Sequence, residues 1–99
     1  MLKHHSFRAK PDKMKELIAL YKELAARADL VVPHSPHRVY REAVGDHQIL
    51  PVFSEVADMN TSADNHKRVA ADEICAALIA KLPELIESHT SQFFEQVYP

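Results

Sequence analysis

The apolar residues of this chain change period at Lys10-Pro11, and that change decides much of what the chain can fold into. Before it, Leu2 to Ala9 alternate, as a strand with one buried face does. After it, Met14, Leu17, Ile18, Tyr21, Leu24, Ala25 and Ala28 recur at helical spacing and form one apolar stripe. Lys13, Lys15, Glu16, Lys22, Glu23 and Arg27 take the other side. The residue before a proline favours extended backbone, so the strand runs up to Lys10. Pro11 and Asp12 then suit the first turn of the helix, Pro11 through its missing N–H and Asp12 through the macrodipole.

The rest of the chain reads as a second unit of the same kind. Asp29 to Pro36 is a loop, since Pro33 and Pro36 cannot continue a helix. His37 to Val44 and Gln48 to Ala57 form a β-hairpin about the turn Gly45-Asp46-His47. Pro51 is at odds with a strand interior, because it cannot donate to the ladder. The expectation is a bulge at Pro51, or a strand that begins after it. Asn60 to Ser62 are placed to cap a helical region in two pieces, interrupted at Pro83 and ending near Ser88. Gln92 to Tyr98 closes the chain as a strand.

The order β-α-β-β-α-β in 99 residues describes one domain, residues 1–99. It predicts an α+β, ferredoxin-like fold: a four-stranded antiparallel sheet with its helices on one face. Leu50, Val52 and Val56 fall on one side of the third strand, Phe53 and Ala57 on the other. Both faces therefore call for cover, and a homodimer packed sheet to sheet supplies it.

Composition removes several function classes. A net charge of −2 does not suit a protein that must release counterions from nucleic acid. No apolar run is long enough to span a bilayer, and the first residues lack the apolar stretch of a secretory signal. One cysteine, Cys75, allows no internal disulfide and suits a reducing compartment, so the expected location is the cytoplasm. One glycine, Gly45, excludes a Gly-rich phosphate loop.

Phe7-Arg8-Ala9-Lys10-Pro11-Asp12-Lys13 resembles the strand, Lys-Pro-Gly-Lys, helix opening of the dimeric α+β barrel superfamily. The hairpin end resembles its antibiotic-biosynthesis-monooxygenase branch, with Tyr40, Glu55 and His66 matching a tyrosine, a glutamate and a following histidine. The chain departs from that pattern at Asp12, where the motif has glycine, and at Ala57, where the branch often has tryptophan. The missing tryptophan argues away from the haem-degrading relatives. What the resemblance implies is a cofactor-independent monooxygenase or isomerase acting on an apolar or aromatic small molecule.

Within that reading, His66 is the candidate base, because imidazole side chains titrate near neutral pH. The other account of it is a half-buried ring bonded to Glu55 or to a backbone carbonyl. Glu55 would orient His66, or pair across the hairpin with Arg38 or Arg41. Tyr40 and His5 are candidate substrate contacts; Tyr40 is equally core filler with a polar tip. His5 shares strand parity with Phe7 and Ala9, which places it toward the helices. His34 and His37 lie three apart but are kept off a helix by Pro36, so no metal site is expected. Cys75, among Ile74, Ala76 and Ala77, reads as a small buried hydrophobe. Two further readings stand beside the enzyme: a non-catalytic ligand-binding or stress-associated dimer, and a metal- or haem-binding dimer.

Overall fold

A computed structural model of the chain describes residues 1–99. Strand β1 (Leu2–Ala9) buries Phe7 and Ala9 and turns Leu2, His4, Ser6 and Arg8 the other way. Helix α1 (Met14–Val31) buries Leu17, Leu20, Tyr21, Leu24, Ala25 and Ala28. It starts later than expected. Pro11 and Asp12 instead form a turn, closed by Lys13 N–H donating to Lys10 O at 3.0 Å. Asp12 has φ +62°, so proline at the second position and positive φ at the third give the arrangement of a type II turn. A non-glycine residue thus holds the left-handed position where the related motif carries glycine. The helix also ends three residues beyond Ala28. Val32 precedes Pro33, and a residue before proline is driven out of the helical region.

Strand β2 (His37–Val39) is five residues shorter at its end than the pattern to Val44 predicts, and β3 (Ile49–Glu55) explains why. Pro51 lies inside β3 in regular register opposite Ser6, with no bulge. Its carbonyl accepts from Tyr40 N–H at 3.0 Å, so its ring nitrogen faces β2. The bond that nitrogen cannot return to Tyr40 is the one that would carry β2 onward. The expected bulge is therefore absent, and the proline ends the neighbouring strand instead.

Helix α2 (Met59–Ala71) is capped by Asp58, whose Oδ1 accepts from Thr61 N–H at 2.7 Å. The cap lies two residues before Asn60, and Asn60 to Ser62 are inside the helix. Helix α3 (Glu73–Ile79) is capped by Asp72, which accepts from Cys75 N–H at 3.0 Å. Arg27 grips the same carboxylate through Nε at 3.0 Å and Nη2 at 2.8 Å, tying α1 to the α2–α3 break. That pairing holds the Asp72 carboxyl far below its usual range. A 3₁₀ turn at Leu82–Glu84 takes up Pro83, and β4 (Ile86–Phe94) begins six residues earlier than predicted. It is an edge strand, exposed along most of its length, so no apolar alternation marks it.

The sheet order is β2-β3-β1-β4, antiparallel throughout, with the helices on one face: the ferredoxin-like α+β fold. Leu17 of α1 and Leu50 of β3 are fully buried where helix meets sheet. Each contributes roughly 2 kcal/mol by removal from water. The molecule is 18 Å through its thin axis, enough for one sheet and one helical layer. The other sheet face has no cover within the chain.

Candidate functional site

Between the helices and the helix-facing side of the sheet lies a cavity of about 280 Å³. Eleven of its twenty lining residues are apolar and none is a carboxylate, so its electrostatics are set by Lys3 and the histidines His5, His37, His66 and His89. β1 contributes Lys3 and His5 through the parity that buries Phe7. β4 contributes His89, opposite Phe7. Tyr21 of α1 is buried against Phe7, and burial pushes its phenol well above the ordinary range.

His5 Nδ1 lies 2.8 Å from His89 Nε2 and 3.0 Å from Ser91 Oγ. One ring must donate and the other accept, so the contact requires a neutral imidazole. Burial pushes His5 down to about 3, helped by the positive charge of Lys3 and then of His89, His37 and His66. Burial and Lys3 lower His89 as well. At neutral pH the pair is uncharged and serves as a hydrogen-bonding wall.

Lys3 Nζ donates to Ser62 Oγ at 2.9 Å and sits 5.7 Å from the centre of the Phe93 ring. Burial lowers its pKa, and it has no carboxylate partner. A cation in an apolar cavity free of carboxylates favours an anionic occupant.

His37 is held from behind. Asp29 Oδ1 accepts from the His37 backbone N–H at 2.9 Å and lies 2.8 Å from Nδ1. The adjoining loop is fastened to α2 by His34 Nε2 on Asn65 Oδ1 at 3.1 Å, and by Asn65 Nδ2 donating to Ser35 Oγ at 3.1 Å.

The four candidates from the sequence separate into two groups. His5 and His66 line the cavity together, His66 at its exposed rim on α2. Glu55 and Tyr40 lie on the opposite face of the sheet. Glu55 shares the parity of Phe53 and is exposed opposite Leu2, so it does not meet His66. Tyr40 is 50% exposed, its ring edge-on to Phe53 at 5.6 Å. Lys3, His89 and the Asp29–His37 pair were not singled out from the sequence. Lys3 was findable, because it shares the parity of His5. Cys75 is buried, and burial followed by the neighbouring Asp72 pushes its thiol up to about 11. No group of three or more His, Cys, Asp or Glu side chains is placed to hold a metal ion. No helix is long and apolar enough to cross a membrane.

The architecture defines a ferredoxin-like α+β protein with an internal cavity and one bare sheet face. Solved structures of other proteins share that fold. An uncharacterized NIPSNAP domain protein from Burkholderia xenovorans superposes with a TM-score of 0.80 at 15% identity, over 99% of this chain and 96% of that one. A NIPSNAP family protein from Agrobacterium tumefaciens gives 0.83 at 18%, over 99% and 87%. An antibiotic biosynthesis monooxygenase gives 0.74 at 18%, over 99% and 100%. No protein-family model matches the sequence, and no curated protein matches it. At these identities the likeness is one of fold.

Proposed function

We propose that the chain is a homodimeric, monooxygenase-like protein that holds an acidic aromatic molecule, such as a phenol or an enol, in the helix-side cavity. The observation that carries this reading is the cavity lining: apolar walls, Lys3 without a carboxylate partner, and four histidines. An aromatic ring satisfies the walls, and its anion is favoured by the ammonium. Once a histidine has taken the proton, the substrate anion is electron-rich enough to rearrange or to reduce dioxygen without a cofactor. His66 stands at the rim, where it meets an entering substrate. Glu55 lies on the other face, which removes its role as orienter of His66 and leaves Tyr40 to the dimer surface.

Support for the homodimer comes from the bare face. His4 stacks on Phe53 at 4.5 Å, Phe94 is 46% exposed beside them, and His4 Nε2 is buried without a partner. A second copy would cover the rings. Cys75 as a free thiol accords with a reducing cytoplasm.

A second reading, ligand binding without turnover, is favoured by the low pKa of His5, which makes it a poor proton acceptor at neutral pH. Calorimetry with a panel of phenols and their neutral methyl ethers tests the cavity. Phenols should bind about tenfold more tightly than the ethers, and Lys3→Met should erase the difference. Absence of any binding would overturn the cavity reading. Oxygen consumption with the tightest phenol separates the two functions: turnover supports the enzyme, and binding without it supports the carrier.

A further inference from the structure

We infer that the proton-accepting group of this cavity is His37, and that Asp29 is its positioning residue. The inference rests on the cavity reading above and adds the group that does its chemistry.

The geometry is that of a carboxylate-backed imidazole. Asp29 Oδ1 lies 2.8 Å from His37 Nδ1 and also takes the His37 backbone N–H at 2.9 Å. An ionised carboxylate can only accept, so Nδ1 carries a proton, and in the neutral imidazole Nε2 carries the lone pair. Asp29 does not line the cavity, whereas His37 does. With Nδ1 engaged by Asp29, Nε2 is the ring nitrogen left free to serve the cavity. His37 is largely buried, with 17% of its side chain exposed, so its orientation is held by packing as well as by the carboxylate.

Asp29 is also in the wrong place for stability alone. It lies in the last turn of α1, where an acidic side chain opposes the helix dipole, and that turn has no basic residue. A residue that breaks a local rule and is held by two hydrogen bonds to one histidine marks a site where geometry was favoured over helix stability. The other titratable groups lining the cavity with His37 are Lys3, His5, Tyr21, His66 and His89, none of them a carboxylate.

The step is a proton transfer. The phenol O–H bond breaks, its electron pair stays on oxygen, and the proton forms a bond to His37 Nε2. The product is a phenolate beside Lys3 and an imidazolium whose Nδ1–H remains on Asp29. His66 is then a rim group that contacts substrate on entry.

4-Nitrophenol is the probe, because its ionised form is coloured. Bound to the wild-type protein below its own pKa, it should show an enriched phenolate band. His37→Gln should lower the bound phenolate fraction about tenfold while binding persists, and Asp29→Asn should lower it with unchanged melting, since Asn keeps the oxygen acceptor. Nitrogen-15 NMR of the free protein should show His37 as the Nδ1–H tautomer, and Asp29→Ala should release it to a mixture. Binding with an unchanged phenolate band in His37→Gln, loss of that band in His66→Ala instead, or an Nε2–H tautomer would each overturn the assignment while leaving the cavity reading in place. Failure of the wild-type protein to bind 4-nitrophenol or any other phenol would overturn both.

Discussion

Leu50 and Phe53 lie three residues apart on β3 and face opposite ways, Leu50 fully buried under α1 and Phe53 on the bare side, stacked on His4. The helix-facing side is completed by its own chain. It has a contiguous core, a cavity and histidines held by named partners. The other side is aromatic but unfinished, with Tyr40 edge-on to Phe53, Phe94 tilted against His4, and His4 left with an unpaired nitrogen. The lesson of the contrast is that one strand carries a face its own chain buries and a face its own chain leaves bare. Substitutions at alternate positions should therefore fail in different ways.

The largest effect belongs to the helix side. Leu50→Ala should cost about 3 kcal/mol of unfolding free energy, because a fully enclosed side chain leaves a cavity that neighbouring elements only partly fill. Urea denaturation should give the same loss at every protein concentration. Phe53→Asp should cost less, about 2 kcal/mol, and through a different route. Light scattering should change from 22 kDa particles, about twice the 11.2 kDa chain, to the chain mass. The wild-type melting temperature should rise with concentration, and that of the variant should not. A wild-type protein that scatters as a monomer at micromolar concentration would remove the homodimer and leave the bare face without its proposed cover.

A pH scan sharpens the comparison from the cavity side. His5 is pushed from its ordinary 6.5 down to about 3, first by burial and then by Lys3. The unfolded chain therefore takes up a proton below pH 6.5 that the folded chain refuses. This stability is fully present above 6.5 and is lost as pH falls through 6.5 toward 3. The slope should be about 1 kcal/mol per pH unit after allowance for partial exposure. Urea midpoints at pH 7 and pH 5 read it, and His5→Phe should flatten that part of the profile. An unchanged slope would show that His5 does not meet the burial described here.

How much of this was legible in the sequence follows from what each residue's position depends on. β1, α1 and the parity of His5 depend on neighbours two to four residues away, and the apolar pattern carries that information. The face of Glu55 was also readable, since it lies two residues from Phe53; matching its spacing to His66 hid that fact, because spacing along the chain says nothing about which side of a sheet a residue takes. The start of β4 could not be read, because residues 87–92, Glu-Ser-His-Thr-Ser-Gln, form an exposed edge strand with no apolar rhythm. The Asp29–His37 pair could not be read either. It exists only because α1 runs on past Ala28 and the loop through Pro33 and Pro36 returns the chain eight residues later to the same helix end.

Pro51 gives the smallest and most local test. It lies on the bare side with Phe53, and its ring nitrogen faces the last rung of β2, where Tyr40 N–H already donates to its carbonyl. One ladder bond is missing and nothing else in β3 is disturbed, since the register with β1 runs on unbroken from Ile49 to Glu55. Pro51→Val restores the donor. The reciprocal bond to the Tyr40 carbonyl should form, β2 should lengthen beyond Val39, and stability should rise by about 0.5–1 kcal/mol. Hydrogen exchange reads it directly as a protected amide at position 51. An unprotected amide there would mean that β2 is ended by the Arg41–Val44 segment itself, and that the short edge on the bare side owes nothing to the proline.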